Sequence, residues 1–293
     1  MRTLVHLSDL HFGRLDPAIL RPLRRCVEEI EPDAVIVSGD LTQRARVIEF
    51  EQARDFLASL PGPQIVVPGN HDVPFHNLYA RMRVPLRSFR SFISEDPEPY
   101  FEDSEVAILG LNTTRARLLK NGRVNLHQIA RIEEHFCELQ RLVKTVVTHH
   151  PFDLPEEYGR RKLVGGAHKA MAKIAGCGID LLLAGHYHVS HIGHTATRYQ
   201  IPGHSAIFVQ AGTLSKRFRG EPNSFNVILV DGERIAVRRY STETDDPAFY
   251  PRAEETFSRT AEGWAADNDS TWKRVPYKAL TRHNSLKRTN MDR

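Results

Sequence analysis

Six short apolar runs in this chain each stop at a polar side chain, in most cases one able to hold a proton or a metal ion. TLVHL (3–7) leads into Asp9 and His11, and AVIVS (34–38) into Gly39-Asp40. QIVV (64–67) leads into Asn70-His71, VAILGL (106–111) into Asn112, TVVT (145–148) into His149-His150, and DLLLA (180–184) into Gly185-His186. Near-continuous apolar runs of this length suit strands covered on both faces. Helix-length amphipathic stretches lie between them. Residues 17–30 put Leu20, Leu23, Val27 and Ile30 on one stripe. Residues 46–60 do the same with Phe50, Ala53, Phe56, Leu57 and Leu60, and 126–142 with Ile129, Ile132, Phe136 and Leu139. This alternation predicts an α/β architecture. Beyond His188 the pattern tightens to AIFVQAG, SFNVILVDG and RIAVRRY, the last two joined by the hairpin signal Asp231-Gly232. A mixed sheet or two stacked sheets is expected.

Ligands of open α/β sheets bind outside the carboxyl ends of the strands. Five of the runs therefore deliver Asp9, His11, Asp40, Asn70, His71, His149, His150, His186 and His188 to one edge. In D-x-H and H-x-H both side chains point inward if the strand's period of two persists to its end. Oxygen and nitrogen donors without thiolate suit Mn, Fe or Zn better than soft metals. So many groups exceed one tetrahedral site, but two metals sharing a carboxylate would use seven of them and could clamp an in-line displacement at phosphorus. Any one of these histidines is more readily a satisfied structural residue, and Asn70 alone is an ordinary turn residue. Five such strand ends at one edge are a different matter.

Composition bounds the rest. The 293 residues, 41% hydrophobic and 26% charged, suit a soluble globular chain. No apolar run approaches a membrane span. The start, MRTLVHLSDLHFG, reads as a buried strand rather than a leader, so a cytoplasmic location is expected. Residues 276–293 hold five cations against one anion, which accounts for the whole net charge of +4 and leaves a neutral body. A nucleic-acid partner is therefore not expected. Cys26, Cys137 and Cys177 lack C-x-x-C spacing and read as small buried residues, neither a disulfide framework nor a metal site. Periodicity fades near residue 242. The expected organisation is a domain over 1–241 and a polar, C-terminally basic tail over 242–293, partly disordered or loosely packed, with some helix around 254–264.

DLH (9–11), GDL (39–41), GNHD (69–72), HHP (149–151) and GHYH (185–188) occur in the order found in calcineurin-like metallophosphoesterases, which this chain resembles from about residue 5 to 190. It looks most like the bacterial class III cyclic-nucleotide phosphodiesterase branch. The resemblance implies a mixed two-sheet sandwich flanked by helices, the αββα fold, and two divalent or trivalent metal ions. By it, Asp9, His11 and His188 hold the first metal, Asn70, His149 and His186 the second, and Asp40 bridges them. The family's ligand in HHP is the His two places before Pro, here His149, with His150 its neighbour. A hydroxide bridging the metals would attack phosphorus, and His71 would stabilise the transition state or protonate the leaving alkoxide. Gly69 would allow the sharp turn, and Asp72 would orient a neighbouring imidazole.

The expected activity is hydrolysis of a small phosphodiester such as a cyclic nucleotide. A lipid-A-pathway nucleotide-sugar pyrophosphatase is an alternative, although such relatives usually carry Arg where His71 stands. A DNA exonuclease is another, opposed by the neutral body and the lack of a capping domain. A scaffold without metals is the alternative from a different class, opposed by the full ligand set. Substrate walls are sought in 73–92, where aromatics interleave with Arg81, Arg83, Arg87 and Arg90, in 156–168, and in 218–226 through Arg219 or Asn223. The 73–92 stretch reads equally well as an amphipathic helical insertion with a solvated basic face. His6, His76, His127, His135, His168 and His283 read as structural, and His191, His194 and His204 as hairpin surface.

Overall fold

The computed structural model describes residues 1–154, 163–217, 220–243 and 245–267. Each apolar run is a strand: β1 (Arg2–Leu7), β2 (Ala34–Val37), β3 (Gln64–Val66), β5 (Val106–Leu111), β6 (Val143–Thr148) and β7 (Leu181–Ala184). Short β4 (Tyr100–Glu102) and β8 (His191–His194) join them, followed by β9 (Ile207–Gln210), β10 (Ser224–Asp231) and β11 (Arg234–Ser241). The helices are α1 (Pro17–Ile30), α2 (Val47–Ala58), α3 (Leu78–Arg83), α4 (Arg87–Phe92), α5 (Leu126–Phe136), α6 (Ala167–Gly176) and α7 (Ala196–Tyr199). Local chemistry sets their ends. Asp16 caps α1 ahead of Pro17, and Asn125 with Gln128 forms a reciprocal cap on α5.

The strands form two sheets, one ordered β13-β12-β11-β10-β1-β2-β3 and the other β4-β5-β6-β7-β9-β8, where β12 (Tyr250–Thr260) and β13 (Gly263–Ala266) end the first. Strand periodicity explains how they stack. Leu4, Ala34, Ile36, Ile65 and Val67 meet Val106, Ile108, Val143, Leu181 and Leu183 between the sheets. Val5, Leu7, Val35 and Val37 turn outward to α1 and α2 residues Leu23, Val27, Phe50 and Phe56. Ala107, Leu109, Val146 and Leu182 turn the other way to Ile132, Phe136, Met171 and Ile174 of α5 and α6. Three apolar layers thus bind four structural ones, the expected helix-flanked two-sheet sandwich. Among the described residues no helix is long and apolar enough to cross a membrane.

Three details depart from the sequence reading. Residues 254–264 are strand, not helix: β12 and β13 extend the sheet by a hairpin and bury Phe257 and Trp264. The Trp264 indole N–H donates to Asp180 Oδ1 at 2.9 Å, and the Arg259 guanidinium stacks on the same ring. Cys137 and Cys177 are not separate thiols but a disulfide joining the ends of α5 and α6, Cα–Cα 4.3 Å. Their pairing comes from helix packing 40 residues apart in sequence, which no local spacing encodes. His191 is buried within β8 rather than on a hairpin surface.

Candidate metal centre

The loops leaving β1, β2, β3, β6 and β7 meet at one edge of the sandwich. Strand period does not present the ligands there, because β1 has already ended at Leu7. Instead Asp9 (φ 54°), His11 (47°), Asp40 (53°), His186 (80°) and His188 (60°) adopt left-handed backbone conformations. Only nine non-glycine residues do so among those described, and five lie in these motifs. Such conformations cost roughly 1–3 kcal/mol each and persist where surrounding structure enforces them. Backbone bonds supply that enforcement: Asp9 N–H donates to Gly39 O (3.1 Å), His11 N–H to Asp40 O (2.9 Å) and Phe12 N–H to Leu41 O (2.7 Å).

Two clusters of donor atoms result, each within 4.8 Å: Asp9, His11, Asp40 and His188, and His149, His150 and His186. Asp40 touches both, its Oδ2 3.5 Å from His11 Nε2 and its Oδ1 3.3 Å from His149 Nε2. Asn70 Oδ1 lies 3.2 Å from His149 Nε2, and His186 Nδ1 is 3.2 Å from the same nitrogen. The carbonyls of Thr42, Ser38 and Arg217 accept from the Nδ1–H groups of His11 (3.2 Å), His149 (2.8 Å) and His188 (2.9 Å). That anchoring turns each Nε2 lone pair inward. His11 and His188 then face one another at 3.1 Å, and Asp9 Oδ1 is buried beside them without a hydrogen-bond partner. Converging lone pairs and an orphaned carboxylate oxygen need a cation, so this donor set fits metal ions.

Electrostatics agree. Burial opposes charge on Asp9 and Asp40, yet the surrounding imidazoles hold both carboxyls well below the usual range. Burial drives His11 down to about 4 and His186 to about 3, keeping them neutral. His149 is the exception: burial is outweighed by Asp40, which pushes it up to about 9, so without a metal its Nε2 holds a proton against Asp40 that a bound cation would replace. His150 lies within the second cluster, but both its ring nitrogens have other contacts: Nδ1 pairs with the Thr113 hydroxyl at 2.7 Å and Nε2 lies 3.2 Å from Lys120 O. With both ring nitrogens engaged, His150 braces the loop that carries Gly122.

Within GNHD the division of labour differs from the expectation. Gly69 has an ordinary φ of −100°; what requires glycine is proximity, since a Cβ there would lie 2.8 Å from Asp40 Cγ. Asp72 orients no imidazole. It accepts from the N–H groups of Gly69 (2.8 Å), Leu41 (3.2 Å) and Thr42 (2.8 Å), stapling the Asp40 loop to the His71 loop. Burial and Asp40 push its carboxyl up to about 7 against those donors. His71 donates Nδ1–H to Gln43 O at 2.8 Å, leaving Nε2 to face the site.

The surroundings hold one side chain that sequence reading missed. Arg217 Nη1 lies 2.9 Å from His71 Nε2 and 3.3 Å from His11 Nε2. It stands seven residues past the end of β9, and no motif contains it. Arg219 and residues 156–162 of the sought walls lie outside the described residues. Asn223 is buried, donating to Thr213 O and Ser215 O at 3.0 Å each. Arg81 is buried too, bonded to the carbonyls of Ala116 (2.7 Å), Leu118 (2.8 Å) and Pro74 (3.1 Å), so it is a strut rather than a solvated charge.

Comparison with known proteins matches residues 2–190 to the calcineurin-like phosphoesterase family model. A glycerophosphodiester phosphodiesterase of Enterobacter lignolyticus is 28% identical over 164 residues, 50% of this chain and 56% of that protein. A UDP-2,3-diacylglucosamine pyrophosphatase of Chlamydia muridarum is 36% identical over 72 residues, 24% of this chain and 22% of that one. A protein named probable cyclic nucleotide phosphodiesterase, from Synechococcus, is 24% identical over 161 residues, 51% of this chain and 58% of that one. The chain thus spans little more than half of these relatives at most. In fold it resembles a dimetal phosphatase from Danio rerio, TM-score 0.56 at 12% identity, covering 80% of this chain and 95% of that one.

Proposed function

The chain belongs to the calcineurin-like phosphoesterase family, and from that premise we propose that it hydrolyses small phosphodiesters, a cyclic nucleotide foremost, at a two-metal centre. Asp9, His11 and His188 would hold one ion, Asn70, His149 and His186 the other, and Asp40 both. The observation that carries this reading is Asp40, whose two carboxylate oxygens point to different clusters, 3.5 Å from His11 and 3.3 Å from His149. Mn, Fe and Zn all suit these donors. When bound, such a pair supplies an activated water and offsets charge at phosphorus. The protein's own contribution is orientation: carbonyls fix His11, His149 and His188, and Asp72 locks the two loops together. His71 presents Nε2 to the phosphoryl group, where it steadies the transition state or protonates the departing alkoxide.

Two of the relatives are named for cleaving diesters, which favours a diester over a monoester here. The short 36% match favours a nucleotide-sugar diphosphate as the second reading. Mn²⁺-loaded protein should cleave bis-p-nitrophenyl phosphate faster than p-nitrophenyl phosphate, and Asp40→Asn should abolish it. Cyclic AMP and a UDP-sugar, run side by side, separate the two substrate readings. Failure to bind metal under any loading condition, or full activity in Asp40→Asn, refutes the mechanism.

A further inference from the structure

Arg217 reaches the metal centre from a loop that the architecture holds rigidly. Beyond β9 the chain turns back beneath Asp9: Leu214 N–H donates to Asp9 O (3.3 Å) and the Thr213 hydroxyl donates to the same oxygen (3.0 Å). Lys216 N–H donates to Arg14 O at 3.0 Å, and the Asn223 amide clasps two carbonyls of the loop. The Arg217 backbone is therefore set before any ligand arrives. Its carbonyl orients His188, while its guanidinium extends, half-buried, over His71 Nε2 and His11 Nε2.

We propose that the Arg217 guanidinium binds a non-bridging oxygen of the phosphoryl group undergoing hydrolysis, side by side with His71; this rests on the phosphoesterase reading above. Arginine stays charged at all working pH values and offers five donors in a fork that matches phosphoryl oxygens. Its acceptors include two imidazole nitrogens, His71 Nε2 and His11 Nε2. One of them, His11 Nε2, would give up its lone pair to a bound metal ion, and a phosphoryl oxygen held there would offer the guanidinium a charged acceptor in its place. A charged phosphoryl oxygen is the stronger acceptor, since hydrogen bonds between ions are roughly twice as strong as neutral ones. The two functions of the residue are also separable. Replacement by alanine keeps the carbonyl that orients His188 and removes the cation.

The test is binding of inorganic phosphate and orthovanadate to Mn²⁺-loaded protein by calorimetry, with metal content measured on the same samples. Arg217→Ala should weaken both anions about 10- to 100-fold at unchanged metal content, the range for losing a charged hydrogen bond. Arg217→Lys should recover part of the affinity, because an ammonium supplies charge without the fork. Undiminished phosphate affinity in Arg217→Ala overturns the proposal. Loss of metal from that variant also overturns it, because the residue would then act by positioning His188. Wild-type protein that binds phosphate through Arg217 but cleaves no phosphoester supports this assignment while refuting the proposed activity. Wild-type protein that binds neither anion refutes both.

Discussion

Adding a single methyl group at Gly69 should disable the centre without altering a donor atom. The backbone there has φ −100°, which alanine adopts freely, so Gly69→Ala acts through space alone. Its Cβ would stand 2.8 Å from Asp40 Cγ and closer still to Asp40 Oδ1 and N. Restoring ordinary contact displaces Asp40 or the Gly69 turn by about 1 Å, given carbon contact distances of about 3.5–4.0 Å. The same Oδ1 accepts the His71 N–H at 2.8 Å, so His71 moves with it. A shift of that size at reacting groups costs on the order of 100-fold in rate. Overpacking should take about 1–3 kcal/mol from stability. Diester turnover, metal content and urea unfolding are measured on Gly69→Ala and on a control, Gly176→Ala, where a Cβ meets nothing within 4 Å. The control should keep full activity. Gly69→Ala with wild-type metal content and turnover would show that Asp40's placement is not critical, and the account of the site would fail.

His149→Ala should bring bound metal from two ions toward one, whereas His150→Asn should keep both, as metal analysis will show; the reverse pattern exchanges their roles. Reducing the Cys137–Cys177 disulfide, or replacing Cys137 by Ser, should lower unfolding free energy by about 2–4 kcal/mol for a 40-residue closure. A urea midpoint indifferent to reductant would contradict it. Trp264→Ala removes a ring only 3% exposed and should cost about 3–5 kcal/mol. A loss below about 1 kcal/mol would mean that the β12–β13 hairpin is not part of the cooperative unit.

The sandwich was legible because both faces of its strands are covered. Runs such as Ala34–Val37 therefore stand out as unbroken apolar residues, and the polar residue that ends each run lies at the edge where loops converge. The convergence of Asp9, His11, Asp40, Asn70, His149, His186 and His188 follows from that geometry. β12 was missed because, although it lies between β11 and β13, its residues are mostly exposed or half-exposed, and its only fully buried side chain is Phe257. Arg217 was missed for a different reason. Its place depends on contacts to Asp9 O and Arg14 O, some 200 residues earlier, which no local pattern records. The Asp72 staple was misread because a carboxylate beside imidazoles suggests orienting them, whereas here the nearest donors are backbone N–H groups.

The left-handed turns at Asp9, His11, Asp40, His186 and His188 have a consequence for how this protein could change over time. Glycine and, to a lesser degree, asparagine occupy that conformation with less strain than aspartate or histidine. Replacement by either relieves backbone tension and, at the two aspartates, removes a buried negative charge. Copies released from catalytic selection should accordingly accumulate glycine and asparagine at these five positions and melt higher than the active form when both are metal-free. On the proposed two-metal reading, these residues are held against a standing thermodynamic slope, which metal binding would offset.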